Sequence, residues 1–369
     1  VRDITRAFVE AEVAPHLQAW EQAREPVPLE VIKKAGDAGL LAIGFPAPYG
    51  LCADSTMHQV VLHEELCRLG SGGLPAALFS HSIGMMPVAT FGTPAQCERW
   101  LPSVLAGDKI AALGVTEPSG GSDVASLKTT ARREGDTYVV NGEKTFITGG
   151  MRADFVTCAV RTGGPGPQGV SMLVVETDTP GFSRTPLSKM GWHCSDTAAL
   201  HFDDVVVPAG NLIGEENRGF HGIMHNFNNE RLIIATHAIA LARACYEEAL
   251  EWARMRQTFG APLVSRQAIR HKLVDMLTDI EAAASWRDRT VLSMDGGGSP
   301  VAHISMLKNF STTMVERVSS AAIQVLGGAG YLEGTVSERV FRETKVLQIG
   351  GGSTEVMKDL AARQLGLDG

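Results

Sequence analysis

Between residues 110 and 212 the chain carries short apolar runs of strand length cut by Gly, Pro and Asp, while on both sides apolar residues recur at helical spacing. That double change of period constrains the fold more than any other feature, because side chains share a face every 3.6 residues on a helix and every second residue on a strand. In the first part Val9, Val13, Leu17 and Trp20 form one stripe, and Leu29, Ile32, Ala35 and Leu40 begin a second. Residues 60–69, 75–91 and 96–105 read as further helices. In the middle, 110–115, 137–140, 144–148, 155–160, 171–176 and 199–207 read as strands. Asn141-Gly142 reads as a tight turn, and 162–169 as a mobile surface loop. Beyond Gly219 the pattern predicts helices over about 220–256, 265–294, 300–326 and 354–364, with a break at the glycine run before Pro300. Long antiparallel helices on short loops make a four-helix bundle. The expectation is an α+β protein with a helical domain over 1–109, a β-domain over 110–214 and a helical bundle over 215–369.

A net charge of −8 leaves no basic footprint for nucleic acid, although a few local Arg or Lys residues suffice for a smaller polyanion. The six cysteines are scattered, with neither a C-x-x-C pair nor metal-ligand spacing, which points to a reducing compartment. No apolar run approaches the roughly 20 residues that span a bilayer. The first residues read as helix with no signal-peptide core, so a trimmed targeting peptide stays open, and with it a bacterial-type cytoplasm or a mitochondrial matrix.

Two stretches carry chemistry. Val115-Thr116-Glu117-Pro118-Ser119-Gly120-Gly121-Ser122 follows an apolar run and clusters hydroxyls with glycines, which let backbone donors approach phosphate or a heteroaromatic edge. On the long helix, Ile223, Phe227, Glu230, Ile234, Ala238, Leu241 and Cys245 share one face, and Glu230 is the only carboxylate on it. Desolvation on such a stripe raises a carboxyl pKa, as a general base needs. His221 and His225 stand four apart on the same helix but lack a third ligand, so no metal site is expected. Ser80-His81-Ser82 has no esterase context.

As a whole, residues 115–150 resemble the flavin-binding signature of the acyl-CoA dehydrogenase family, and the α, β, α order extends that resemblance over essentially the whole chain. The resemblance implies FAD, held by Val115 and Thr116 at the pyrimidine edge, Ser122 at the pyrophosphate and Thr148 near N5. Phe146 stands where the family commonly has Trp. Arg256-Gln257-Thr258-Phe259-Gly260 matches R-x-x-F-G, whose Arg suits the pyrophosphate of a flavin in a neighbouring subunit. Gln324, Gly327 and Gly328 match a string along the adenosine, as do Ser353 and Glu355, although an acid in a first helical turn explains Glu355 equally well.

Many family members place the catalytic Glu where this chain has Gly351. The isovaleryl and long-chain branches take it from an E-R-L string on the long helix, matched here by Glu230-Arg231-Leu232. The resemblance then implies α-proton removal from an acyl-CoA by Glu230, hydride transfer to flavin N5, and release of a trans-2-enoyl-CoA. It assigns the Gly351 N–H to the thioester oxygen, Arg231 to the CoA end, and Phe227 and Gly350 to the substrate. A salt bridge is an equal reading for Arg231. Electron-transfer flavoprotein as acceptor and a homotetramer follow from the same resemblance. A same-fold oxidase or monooxygenase using O2, and an inactive acyl-CoA-binding paralogue, remain alternatives.

Overall fold

The computed structural model describes residues 1–367. Seven helices open it: α1 (Arg2–Phe8), α2 (Leu17–Ala23), α3 (Leu29–Asp37), α4 (Thr56–Cys67), α5 (Gly73–Leu78), α6 (Ser80–Phe91) and α7 (Pro94–Leu105). The first stripe holds, with Val9, Val13 and Leu17 buried. The expected helix over 75–91 is instead two, broken at Phe79, whose carbonyl takes both the N–H and the hydroxyl of Ser82. α7 starts on a capping box between Thr93 and Gln96.

The middle of the chain forms β1 (Ala111–Gly114), β2 (Thr130–Glu134), β3 (Thr137–Thr148), β4 (Phe155–Arg161), β5 (Val170–Glu176), β6 (Phe182–Pro186), β7 (Thr197–Pro208) and β8 (Leu212–Ile213). They pair in the order β6-β7-β3-β2-β4-β5-β8, with β1 parallel to β4. The tight turn expected at Asn141-Gly142 is not there. β3 runs unbroken through both residues, and its ladder with β7 shifts register beside Gly142. Gly142 has φ +141°, and a Cβ on it would lie 2.7 Å from the Thr129 Cα, so glycine marks a bulge under close backbone contact. The hairpin turn lies earlier, at Gly135, between β2 and β3. The loop over 162–169 is tied down: Arg161 donates to the carbonyls of Ala125, Leu127, Gly164 and Gly166.

The rest is helical: α8 (Gly219–Met255), a short β9–β10 hairpin (Gln257–Thr258, Ala261–Pro262), α9 (Gln267–Asp295), α10 (Val301–Leu326), α11 (Val336–Ile349) and α12 (Thr354–Gln364). α10 packs against α8, α9, α11 and α12, so it is the central helix of the bundle. The sequence predicts no helix over 336–349, and α11 adds a fifth helix to the four expected. Its buried face includes Ser337, Arg339, Glu343 and Thr344, which hide an apolar stripe.

The three parts are stitched by polar contacts. Asp295 at the end of α9 accepts the Thr56 N–H and the Ser55 hydroxyl at the start of α4. Asn226 and Asn229 on α8 donate to the Ile83 carbonyl and to Gln59. At a junction of all three, Glu343 on α11 accepts the N–H groups of Gly72 and Trp192, while Glu21 on α2 accepts the Cys194 N–H.

Candidate active site

α8 enters between the sheet and the helices of the first part, so its first turns are walled by apolar groups. Ile223 and Ile234 are buried, and Phe227 is half-buried. Glu230 is half-buried as a residue, but its Oε2 is sealed from solvent with no hydrogen-bond partner. Burial pushes its carboxyl up to about 7, against the opposing charges of Arg231 and Lys308. A buried carboxyl in that range exchanges a proton readily at neutral pH.

Beside it lies the loop between α11 and α12. Arg231, 5% exposed, donates from Nε to the Gly351 carbonyl at 2.9 Å and from Nη1 to Asn228, with its guanidinium over the Phe227 ring. It forms no salt bridge among the described residues. Gly351 has φ +66°, so the backbone selects glycine, and a Cβ there would lie 2.7 Å from Ile234 Cδ1 and push that side-chain end aside. No acceptor among the described residues meets the Gly351 N–H. Gly350 closes α11 by donating to the Val346 carbonyl. Ser353 caps α12 through its hydroxyl, and Glu355 stands exposed in the first turn, its pKa lowered by its own N–H and the Ser353 hydroxyl.

A second cluster sits where β1 ends. The Thr145 N–H donates to the Thr116 carbonyl, and Lys144 Nζ to the Val115 carbonyl, so Val115, Thr116, Phe146 and Thr148 are brought together. The loop after Thr116 is held by Glu117, which accepts Lys144 at 2.8 Å and the N–H groups of Lys128 and Thr129. Burial raises the Glu117 carboxyl, but Lys144 and these donors outweigh it and leave its pKa at about 2. The sequence points to neither Glu117 nor Lys144 as a site residue, because a Lys on a strand whose positions are only partly buried carries no distinct signal. Ser122 is exposed on this loop. Phe146 lies in the left-handed region at φ +60°, its side chain turned out and the residue 69% exposed. α6 packs on both β1 and α8, which links this cluster to Glu230.

Arg256, Phe259, Gln324, Gly327 and Gly328 are not part of that assembly. Arg256 stands roughly 39 Å from Glu230 along α8, at about 1.5 Å per residue. Phe259 is 98% exposed, Gln324 is exposed, and Gly327 and Gly328 have open space where a Cβ would be. His221 and His225 are exposed, and no group of metal ligands forms among the described residues. His81 is buried with Nε2 2.9 Å from the Leu41 carbonyl, so its part is structural.

A helical domain, a sheet and a helical bundle thus meet around the sealed Glu230 carboxyl and a glycine-edged polar loop. Models of the acyl-CoA dehydrogenase N-terminal, middle and C-terminal domains match residues 1–108, 112–205 and 217–366. The long-chain specific mitochondrial acyl-CoA dehydrogenase of Rattus norvegicus is 34% identical over 99% of this chain and 85% of its own. A solved probable acyl-CoA dehydrogenase from Mycobacterium abscessus is 46% identical with a TM-score of 0.95, covering 99% of this chain and 97% of that one. A glutaryl-CoA dehydrogenase from Mycobacterium smegmatis, solved in complex with FADH2, is 26% identical with a TM-score of 0.92, covering 99% and 93%. The chain belongs to the acyl-CoA dehydrogenase family of FAD-dependent oxidoreductases. Its residues fit that cofactor: Phe146 turns an exposed ring outward next to Thr145, whose N–H meets the Thr116 carbonyl, and a Cβ at Gly120 would meet nothing within 4 Å. No helix among the described residues is long and apolar enough to cross a membrane.

Proposed function

We propose that this chain dehydrogenates an acyl-CoA thioester at its α,β bond to a trans-2-enoyl-CoA, with Glu230 taking the α-proton. The observation that carries this reading is the sealed, unpartnered Oε2 of Glu230, whose pKa lies at about 7. An α-proton is very weakly acidic, so the base must be dry and the developing oxygen charge must be met. The Gly351 N–H is the donor for that oxygen. Phe227 and Gly350 line the acyl side, and Arg231 works from behind by holding the Gly351 carbonyl. Bound FAD supplies the acceptor, at N5, for the β-hydride.

Val115, Thr116, Phe146 and Thr148 orient the flavin ring and Ser122 its pyrophosphate side, while Ser353 and Glu355 face the adenosine. Arg256, Phe259, Gln324, Gly327 and Gly328 serve the flavin of a second copy, because α8 holds Arg256 far from its own Glu230. This reading requires an oligomer, a homotetramer by family habit. Electron-transfer flavoprotein is the proposed acceptor. We place the domain limits at 109/110 and 214/215. The compartment is the bacterial-type cytoplasm or a mitochondrial matrix, in keeping with six free cysteines.

Anaerobic mixing of the holoenzyme with straight and branched acyl-CoAs, parent beside Glu230→Gln, tests the reading. Flavin bleaching in the parent that vanishes in Glu230→Gln, with flavin still bound, is expected. Equal bleaching in both would move the base elsewhere.

A further inference from the structure

Two lysines are wholly buried, and they differ in their partners. Lys144 faces the Glu117 carboxylate, which accounts for its burial. Lys308 on α10 has no carboxylate within salt-bridge distance among the described residues. Its Nζ donates to the Gly352 carbonyl at 2.6 Å and the Gln348 carbonyl at 3.2 Å. An ammonium so placed is costly, and nothing about packing α10 requires it. Both acceptors flank Gly350 and Gly351. From the other side, Arg231 takes the carbonyl of Gly351 itself.

The loop is therefore pinned by two buried cations from two helices. The carbonyls of Gln348, Gly351 and Gly352 are turned toward charge, while the Gly351 N–H stays free. The same loop touches α8 through Arg231 and Ile234, one and four residues beyond Glu230.

We propose that Lys308 is a positioning residue, whose ammonium, inserted between the Gln348 and Gly352 carbonyls, fixes the Gly350–Gly352 loop against the turn of α8 that carries Glu230. This rests on the reading of Glu230 as base and of the Gly351 N–H as oxyanion donor. It assigns Lys308 two effects. One is geometric: the free N–H keeps its place while substrate comes and goes. The other is electrostatic: the charge limits how far burial raises the Glu230 carboxyl, jointly with Arg231. Burial lowers Lys308 itself to about 8, as does Arg231, while Glu230 and Glu355 raise it, so it stays largely charged at neutral pH. The groups facing this pocket are thus Glu230 and Arg231 from α8, Lys308 from α10 and Glu355 from α12.

The test compares holoenzyme carrying Lys308→Met, Lys308→Gln and Lys308→Arg. A misplaced site costs about 10²-fold in rate, so Lys308→Met should lose about that much kcat with KM little changed. Lys308→Gln keeps a donor without charge and should recover much of the kcat. A second readout needs no turnover: infrared titration of the Glu230 carboxyl, its band assigned by its loss in Glu230→Gln. That titration should move to higher pH in Lys308→Met and Lys308→Gln, and stay near the parent in Lys308→Arg. If Lys308→Met does not fold, the Lys308→Gln and Lys308→Arg titrations decide the electrostatic part and their kcat values the geometric one. Variants that melt lower but keep the parental kcat and Glu230 titration would make Lys308 purely structural and overturn the proposal. Parental bleaching by Glu230→Gln would instead overturn the base assignment, so the two failures are distinguishable.

Discussion

Glu230 sets activity against stability within one side chain. Its carboxyl is raised to about 7 from an ordinary 4.5, so the folded chain holds that proton more tightly than the unfolded one. The associated stability is full below about pH 4.5 and is lost as pH climbs through about 7. A base must be ionised, so flavin reduction should rise over the same interval, with kcat/KM turning at about pH 7. Glu230→Gln stays neutral at every pH. Its melts should match the parent at pH 4 and lie above it at pH 8.5, by on the order of 3 kcal/mol; coincident melts at both would show that the carboxyl is not sealed. Gly351 closes the other route to a base. With φ +66° and Ile234 Cδ1 2.7 Å from a would-be Cβ, Gly351→Glu in the Glu230→Gln background should regain no flavin bleaching. The same change should destabilise by about 1–3 kcal/mol in denaturant melts.

At the scale of elements, the loop after β1 depends on one ion pair. Glu117 answers a fully buried Lys144 and two backbone N–H groups, so Glu117→Gln leaves an uncompensated charge and should cost about 3–5 kcal/mol in denaturant unfolding, with weaker flavin retention on gel filtration. The Glu117 carboxyl is depressed to about 2, so its contribution is present above about pH 4.5 and is lost only as pH falls through about 2. How far such elements could be read from the chain varied with what buries them. α8 was legible over nearly its full length because its apolar stripe persists and Glu230 interrupts it once. α11 was not, because Ser337, Arg339, Glu343 and Thr344 occupy its buried face, and the partners of the first three lie far away in sequence. β2 shows only Ala131 buried, so its strand pattern is mute, and Asn141-Gly142 then imitated the hairpin turn that belongs at Gly135. The base could be found because an acid on an apolar stripe stands out. Lys308 could not, because its partners are carbonyls, which no side-chain alphabet records.

On the scale of the molecule, the three parts meet over two buried acids. Burial and the neighbouring Glu21 both raise the Glu343 carboxyl, so this junction too is most stable in acid and weakens as pH rises. Glu21→Gln should flatten the part of the pH-dependent loss in Tm that Glu230→Gln leaves, in scanning calorimetry from pH 5 to 8.5. If Arg256 serves a second copy's flavin, two dead variants should complement each other. Co-assembled Glu230→Gln and Arg256→Ala chains should regain bleaching at one site of each mixed pair, whereas service within one chain would give none. The Phe146 ring has a further consequence. It projects from a strand with the residue 69% exposed, so its apolar face is left uncovered by the rest of the chain. Phe146→Ser should therefore weaken flavin retention on gel filtration while the unloaded chain melts as the parent does; unchanged retention would remove Phe146 from the flavin cluster.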